Sequence, residues 1–257
     1  MKLAVVSDIH GNLEAFEAVL ADMEKTRPDQ IHSLGDNIGY GPDSAAVMDI
    51  LMERQIPSVM GNYEMAVAHP RFMNWFNPLS RRAVAQAASV LPDRALAWIK
   101  EFPTSRILPL EPGPHGFQAL RLVHGLPPDS PFLYLFQMSD PALARRIRTM
   151  DEPLCFAGHT HDLEWFACRR GKLVHRKLKE KTLCLNPGEP CIINAGAVGQ
   201  PRDGEPSAKY MILDTRTLAL EIRYCTYDFA KTQAKIRAAG IPETFAEKLG
   251  ISFRNEA

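Results

Sequence analysis

The chain has 257 residues, 46% hydrophobic and 23% charged, and its 30 basic residues balance 30 acidic ones. That length builds one large domain or two small ones, and that composition excludes general disorder. A formal net charge of zero excludes a global footprint for nucleic acid or a membrane surface, so an anionic substrate has to be attracted locally.

LAVVS (3–7) reads as a buried strand. Its four consecutive apolar residues are too few for a signal peptide or a membrane span. Asn12 is placed to cap a helix whose stripe is Leu13, Phe16, Leu20 and Met23. IHSLG (31–35) is a second strand, Pro42-Asp43 opens a helix carrying Val47, Ile50 and Leu51, and PSVM (57–60) is a third, short strand. Residues 79–101 read as helical with a break or restart at Pro92. TSRILPL (104–110) and FQALRLV (117–123) form a strand pair joined by EPGPHG.

LCFAG (154–158) is another buried strand, and EWFACRRGKLVHRKL is a hairpin turning near Arg170-Gly171. CIINAG, AKYMILD and LALEIRYCTY supply further strands, and a last helix covers about 228–239, ending at Gly240-Ile241-Pro242. The class is therefore α/β, with parallel-type units first and antiparallel hairpins dominating after residue 160. Without repeats or a linker, a single domain over 1–257 is expected, with the helix at about 228–240 appended. Five cysteines, an odd number with no C-x-x-C pair, fit buried reduced thiols in a cytoplasmic protein better than a disulfide or zinc framework.

Five polar motifs fall where an expected strand ends: Asp8-x-His10, Gly35-Asp36, Gly61-Asn62, His124-Gly125 and His159-Thr160-His161. In open α/β sheets the loops beyond the carboxyl ends of the strands build the ligand site. Singly, each motif has an ordinary reading. Asp8, Asp36 and Asn62 suit turns, and His124 suits a hydrogen-bonded core histidine. Jointly, their order, placement and residue types describe a metal site. Carboxylate, imidazole and amide oxygen together suit manganese, iron, zinc or nickel. Two such ions ~3.5–4 Å apart clamp an in-line phosphoryl displacement and lower the pKa of a shared water from about 15.7 toward ~7.

The series SDIHGN, LGDNIGYGPD, MGNYE, VHG and GHTH resembles the calcineurin-like metallophosphoesterase superfamily. It is most similar to the small bacterial and archaeal phosphodiesterase-type branch. The match extends to INAGAVGQPRDG near residue 204, with Ala197 where that branch usually has serine. The resemblance implies a two-sheet αββα sandwich and a binuclear centre holding two divalent ions, manganese first and iron, zinc, nickel or magnesium as alternatives. By position it implies that Asp8, His10 and His161 hold one ion, Asp36 bridges, and Asn62, His124 and His159 hold the other.

Two departures from the family carry chemical weight. After Asp36 the chain reads Asn-Ile-Gly-Tyr-Gly-Pro, without the phosphate-gripping arginine of Ser/Thr protein phosphatases. At Tyr63 most relatives have a histidine that serves the leaving group. A phenol with pKa near ~10 donates a hydrogen bond but brings no positive charge. The catalytic set expected is therefore Asp36, Asn62 and Tyr63. Its substrate is a phosphodiester or nucleotide, with a dinucleoside polyphosphate or other phosphoanhydride as the alternative favoured by the tyrosine. A metal-binding regulatory protein with weakened catalysis is the reading from another class.

The expected partner is a small phosphorylated molecule, with neither nucleic acid nor membrane involved, and the oligomeric state stays open. His32, His69, His115 and His175 compete for the missing histidine's role, and each also reads as an ordinary surface or core histidine. Arg202 reads equally as a phosphate ligand and as a surface arginine. Arg145, Arg146 and Arg148, and the basic run 175–181, read as solvated faces. Phe72, Trp75 and Phe76 in segment 63–80 are expected in the core rather than over the site.

Overall fold

A computed structural model describes residues 1–111 and 116–251. His115 and most of the EPGPHG turn therefore lie outside the described residues. Strand β1 (Lys2–Val6) shows how the sequence builds layers. Leu3 and Val5 point into the core between two sheets, while Ala4 and Val6 point into the core beneath the helices. Alternating side chains of one strand thus bury both faces. Each fully buried Val or Leu contributes about 1.5–3 kcal/mol.

One sheet has five strands in the order β2 (Gln30–Ser33), β1, β10 (Ala208–Asp214), β11 (Ala219–Cys225) and β8 (Thr182–Cys184). The other has six, in the order β3 (Ser105–Pro109), β4 (Ala119–Val123), β5 (Leu154–Ala157), β9 (Cys191–Ala195), β6 (Leu163–Arg169) and β7 (Lys172–Lys177). Helices α1 (Leu13–Thr26), α2 (Ser44–Glu53), α3 (Asn62–Ala68), α4 (Pro78–Val90) and α5 (Asp93–Lys100) contribute to the core on the outer side of the first sheet. Helix α6 (Asp140–Arg148) packs on β6 and β7 and contributes Leu143 and Ile147 to the third core cluster. This is the two-sheet αββα sandwich expected from the motifs.

Several local readings change. PSVM is not a strand. It makes a single parallel bridge, Ser33 to Ser58, because Pro57 has no N–H for a ladder and the chain must turn at Gly61 into α3. The division into parallel-first and antiparallel-late is also too simple. β1 pairs with β10 antiparallel, and the late strand β9 runs parallel to β5. After α7 (Phe229–Ala238) comes a short unexpected helix, α8 (Glu243–Glu247).

Phe76 is buried as expected, but Trp75 is 65% exposed and lines a cavity beside the site. All five cysteines are free; three are buried, Cys168 is half-buried and Cys184 exposed. Among the described residues no helix is long and apolar enough to cross a membrane.

Candidate metal centre

Six of the candidate ligands stand in loops that follow strands and Asn62 opens α3, and five of the seven take a backbone conformation that side chains usually avoid. Asp8, His10, Asp36, His159 and His161 have φ between 50° and 71°. Such left-handed residues cost of order 1–3 kcal/mol each and persist only where the surroundings impose them. Here the surroundings are interlocking loops. Asp8 N–H donates to the Gly35 carbonyl and His10 N–H to the Asp36 carbonyl, while Gly199 N–H donates to the Asp8 carbonyl. Gly61 lies against Asp36 so closely that a Cβ would fall 2.2 Å from Asp36 Oδ1. At Gly158 a Cβ would fall 2.0 Å from Ser7 Oγ. Both glycines are required by close approach rather than by a turn alone.

The result is two groups, Asp8–His10–His161 and Asp36–His124–His159, each able to hold a metal ion. Each carboxylate uses one oxygen for the fold and leaves the other facing imidazoles. Asp8 Oδ2 accepts from Ser7 Oγ (2.6 Å) and from His159 N–H (3.0 Å), whereas the buried Oδ1 has no hydrogen-bond partner. Asp36 Oδ1 accepts from Tyr63 N–H at 2.9 Å. Its Oδ2 lies 3.7 Å from His10 Nε2 and 3.3 Å from His124 Nε2, between the two groups. Asn62 Oδ1 lies 3.2 Å from His124 Nε2. The structure thus brings together all seven sequence-derived ligands.

The imidazoles test whether a cation fits. His10 Nδ1 faces the Ile38 carbonyl (3.1 Å) and His161 Nδ1 the Gln200 carbonyl (2.6 Å). A neutral imidazole has one N–H, and these carbonyls can only accept it. The facing nitrogens, His10 Nε2 and His161 Nε2, 3.1 Å apart, therefore both present lone pairs. The second group places its rings likewise, but there, against burial, Asp36 lifts His124 to about 9 and leaves it charged, so the opposed lone pairs belong to the first group. His124 Nδ1 faces the Leu34 carbonyl (2.9 Å) and His159 Nε2 the Phe132 carbonyl (3.1 Å), leaving His124 Nε2 and His159 Nδ1 opposed at 3.1 Å. Opposed lone pairs repel unless a shared cation sits between them. Backbone carbonyls that fix the ring tautomer are the usual support of metal-binding histidines.

Electrostatics separate the two groups. Burial holds the pKa values of His10 and His159 well below the ordinary histidine value and also lowers that of His161. Burial would do the same to His124, but Asp36, Asp8 and Glu64 outweigh it and lift that group to about 9. Positive charge is thus favoured at the second group. Burial raises the Asp8 pKa, yet His161, His124 and His10 together hold it far below the usual carboxylate range.

The sequence reading missed Glu64. Fully buried, it accepts hydrogen bonds from the backbone N–H groups of Asp36 (2.8 Å), Asn37 (2.7 Å) and Gly61 (3.1 Å). It therefore ties the Asp36 loop to the Asn62 loop. Burial and Asp36 push its pKa up to about 7 against the pull of the amide hydrogens. The signal was present as the glutamate three residues after a helix start at Gly61.

Tyr63 is buried, its ring edge-on to His10 (5.0 Å), Tyr40 (5.2 Å) and Phe76 (5.2 Å). Its hydroxyl has no hydrogen-bond partner. Burial, then Tyr40, pushes its pKa well above 10. With Asn62 and His159 it lines a cavity of about 220 Å³. The competing histidines sit elsewhere. His69 is exposed, His32 pairs with Gln30 on β2, and His175 pairs with Glu164 while stacked on Phe166. The basic run of β7 is partly neutralised, by Arg176–Glu180 and Lys177–Asp162.

Comparisons with known proteins place this geometry. A family model described as the calcineurin-like phosphoesterase superfamily domain matches residues 1–218. An uncharacterized protein of Methanocaldococcus jannaschii is 31% identical over 96% of both chains. The crystal structure of a metallophosphoesterase from Sphaerobacter thermophilus superposes with a TM-score of 0.78, at 32% identity and 98% coverage of both chains. A protein of Acidovorax sp. named bis(5'-nucleosyl)-tetraphosphatase, symmetrical, is 32% identical over 48% of this chain and 43% of its own length. The two-sheet sandwich, the clustered candidate ligands and a family match over residues 1–218 agree, and the chain belongs to the calcineurin-like phosphoesterase superfamily.

Proposed function

We propose that this protein is a hydrolase of a phosphodiester or nucleotide working with two divalent ions, manganese being the one we expect. The observation that carries this reading is the meeting of two buried groups at Asp36 Oδ2, the first of them with opposed imidazole lone pairs. Asp8, His10 and His161 would hold one ion, and Asn62, His124 and His159 the other, with Asp36 Oδ2 between them. When bound, such ions neutralise phosphoryl charge and lower the pKa of a water toward ~7.

The chain's own residues would do the rest. The carbonyls of Ile38, Gln200, Leu34 and Phe132 hold the four rings in the ligating tautomer, and Glu64 holds the two ligand loops in register. Tyr63 lines the cavity beside Asn62, and its buried, unpartnered hydroxyl would donate a hydrogen bond to the leaving oxygen once a shift of its neighbours brings it into that cavity. Since its pKa is raised, it gives up its proton poorly. Leaving groups that need little protonation are therefore preferred.

That last point supports a second reading, hydrolysis of a phosphoanhydride such as a dinucleoside polyphosphate, which the name of the part-length Acidovorax relative also supports. Five free thiols support a reducing, cytoplasmic setting. The test is turnover of bis-p-nitrophenyl phosphate by manganese-loaded protein, with Asp36→Asn as control. Asp36-dependent turnover is expected. Its absence with every divalent metal tried would favour the metal-binding regulatory reading.

A further inference from the structure

Beside the metal centre lies a larger cavity of about 500 Å³, within the ~300–1,000 Å³ range of small-molecule sites. Tyr40 and Tyr134 line both this cavity and the one at Asn62. The Tyr40 ring is 4.2 Å from His10 on one side and stacked on Phe245 at 4.4 Å on the other. Tyr134 is stacked on His159 at 3.8 Å. A molecule with one end at the ligands can therefore extend over these two rings into the larger space.

The wall carries two cations, Arg202 from the loop after β9, whose N–H donates to the His161 carbonyl, and Lys248 just after α8, and no carboxylate. Neither cation makes an ion pair among the described residues. Arg202 has only long contacts, 3.5 Å, to Tyr40 Oη and Gln200 Oε1. The two are close enough that Arg202 adds to burial in lowering the Lys248 pKa. Two uncompensated like charges facing one cavity make a place for an anion. The comparably large cavity beside Lys177, Lys179 and Lys181 differs, because Asp203 and Glu205 stand in its wall.

We infer that Arg202 and Lys248 form a second anion subsite that binds a phosphate carried by the leaving group, selecting substrates whose departing part is itself phosphorylated over simple diesters. This rests on the hydrolase reading above for its link to turnover, though not for the binding itself. Leu79 and Phe245 on the same wall would take the organic body of that group, such as a nucleoside.

The binding test uses ADP and adenosine on the metal-free protein, by calorimetry. ADP is expected to bind more tightly than adenosine, to weaken about tenfold in Lys248→Glu and in Arg202→Gln, and to weaken as salt rises. Equal ADP affinity in both variants and the parent, or no ADP binding without metal, would overturn the subsite. The kinetic test uses manganese-loaded protein on diadenosine tetraphosphate and bis-p-nitrophenyl phosphate. The ratio of kcat/KM values for the two is expected to fall about tenfold in Lys248→Glu, chiefly through KM. An unchanged ratio contradicts the inference. If neither substrate is turned over, the hydrolase reading fails while the ADP measurement still decides the subsite.

Discussion

The two ligand groups use similar residues in different surroundings. Asp8, His10 and His161 are sealed, with His10 under Tyr40 and two backbone carbonyls behind the rings. The second group opens through Asn62 and His159 onto the cavity that Tyr63 also lines. Its His124 is the imidazole whose pKa is lifted, to about 9. The difference suggests a division of labour. The closed group would hold its ion and fix the geometry, while the open group would meet the substrate and exchange its ion more readily.

The largest expected effect comes from Asp36, whose Oδ2 lies between the two groups. Asp36→Asn should lower turnover at least 10²–10³-fold, the scale for losing one electrostatic group of a catalytic site. It should also weaken metal uptake at both groups, as read by isothermal titration. Variants confined to one group sharpen the contrast. Asn62→Ala should weaken uptake of one metal equivalent by about 10–100-fold and leave the other slow to release into a chelator. His161→Ala should instead remove the slowly released equivalent. Equal release of both equivalents in the parent protein would erase the distinction.

Tyr63→His bears on the leaving group. It should raise kcat for alkyl phosphodiesters by about 10–10²-fold relative to aryl ones, a fraction of the ~10²–10⁴-fold usual for general acid catalysis. A uniform change across both ester types would contradict the proposed role of the phenol. Glu64→Gln tests the tie between the groups. Presenting an amide to three N–H donors should cost about 1–3 kcal/mol, visible as a lower melting temperature of the metal-free protein.

The smallest effect lies outside both groups, at His32. Burial, and then Arg106, lowers its pKa from 6.5 to about 4. Its contribution to stability is thus complete above pH 6.5 and is lost as pH falls from 6.5 toward 4, because the unfolded chain takes up the proton first. His32→Leu should flatten the pH dependence of melting in that window and leave metal uptake unchanged.

That these residues would cluster was legible in the sequence, because short polar motifs in this order have few other uses when five occur together. The supporting atoms were not. The carbonyls of Ile38, Leu34, Phe132 and Gln200 are backbone groups that any residue could offer, so no residue type announces them. Glu64 was readable in principle, but as a helix signal rather than a site signal. PSVM had a strand's composition and lost to Pro57 and the turn at Gly61. The fully buried Lys209, which binds the Ser207 carbonyl at 3.0 Å and Asp203 at 2.9 Å, also has no sequence signal. It braces the loop that carries Arg202, a long-range role invisible to periodicity. Phe245 and Lys248 reach the site only through the packing of α8.

The most direct measurement is a crystal structure of the protein with manganese, read by anomalous scattering. Two peaks are expected, one among Asp8, His10 and His161 and one among Asn62, His124 and His159, with Asp36 touching both. At saturating manganese, no peak at these residues, or a single peak with Asp36 turned away, would contradict a two-ion centre.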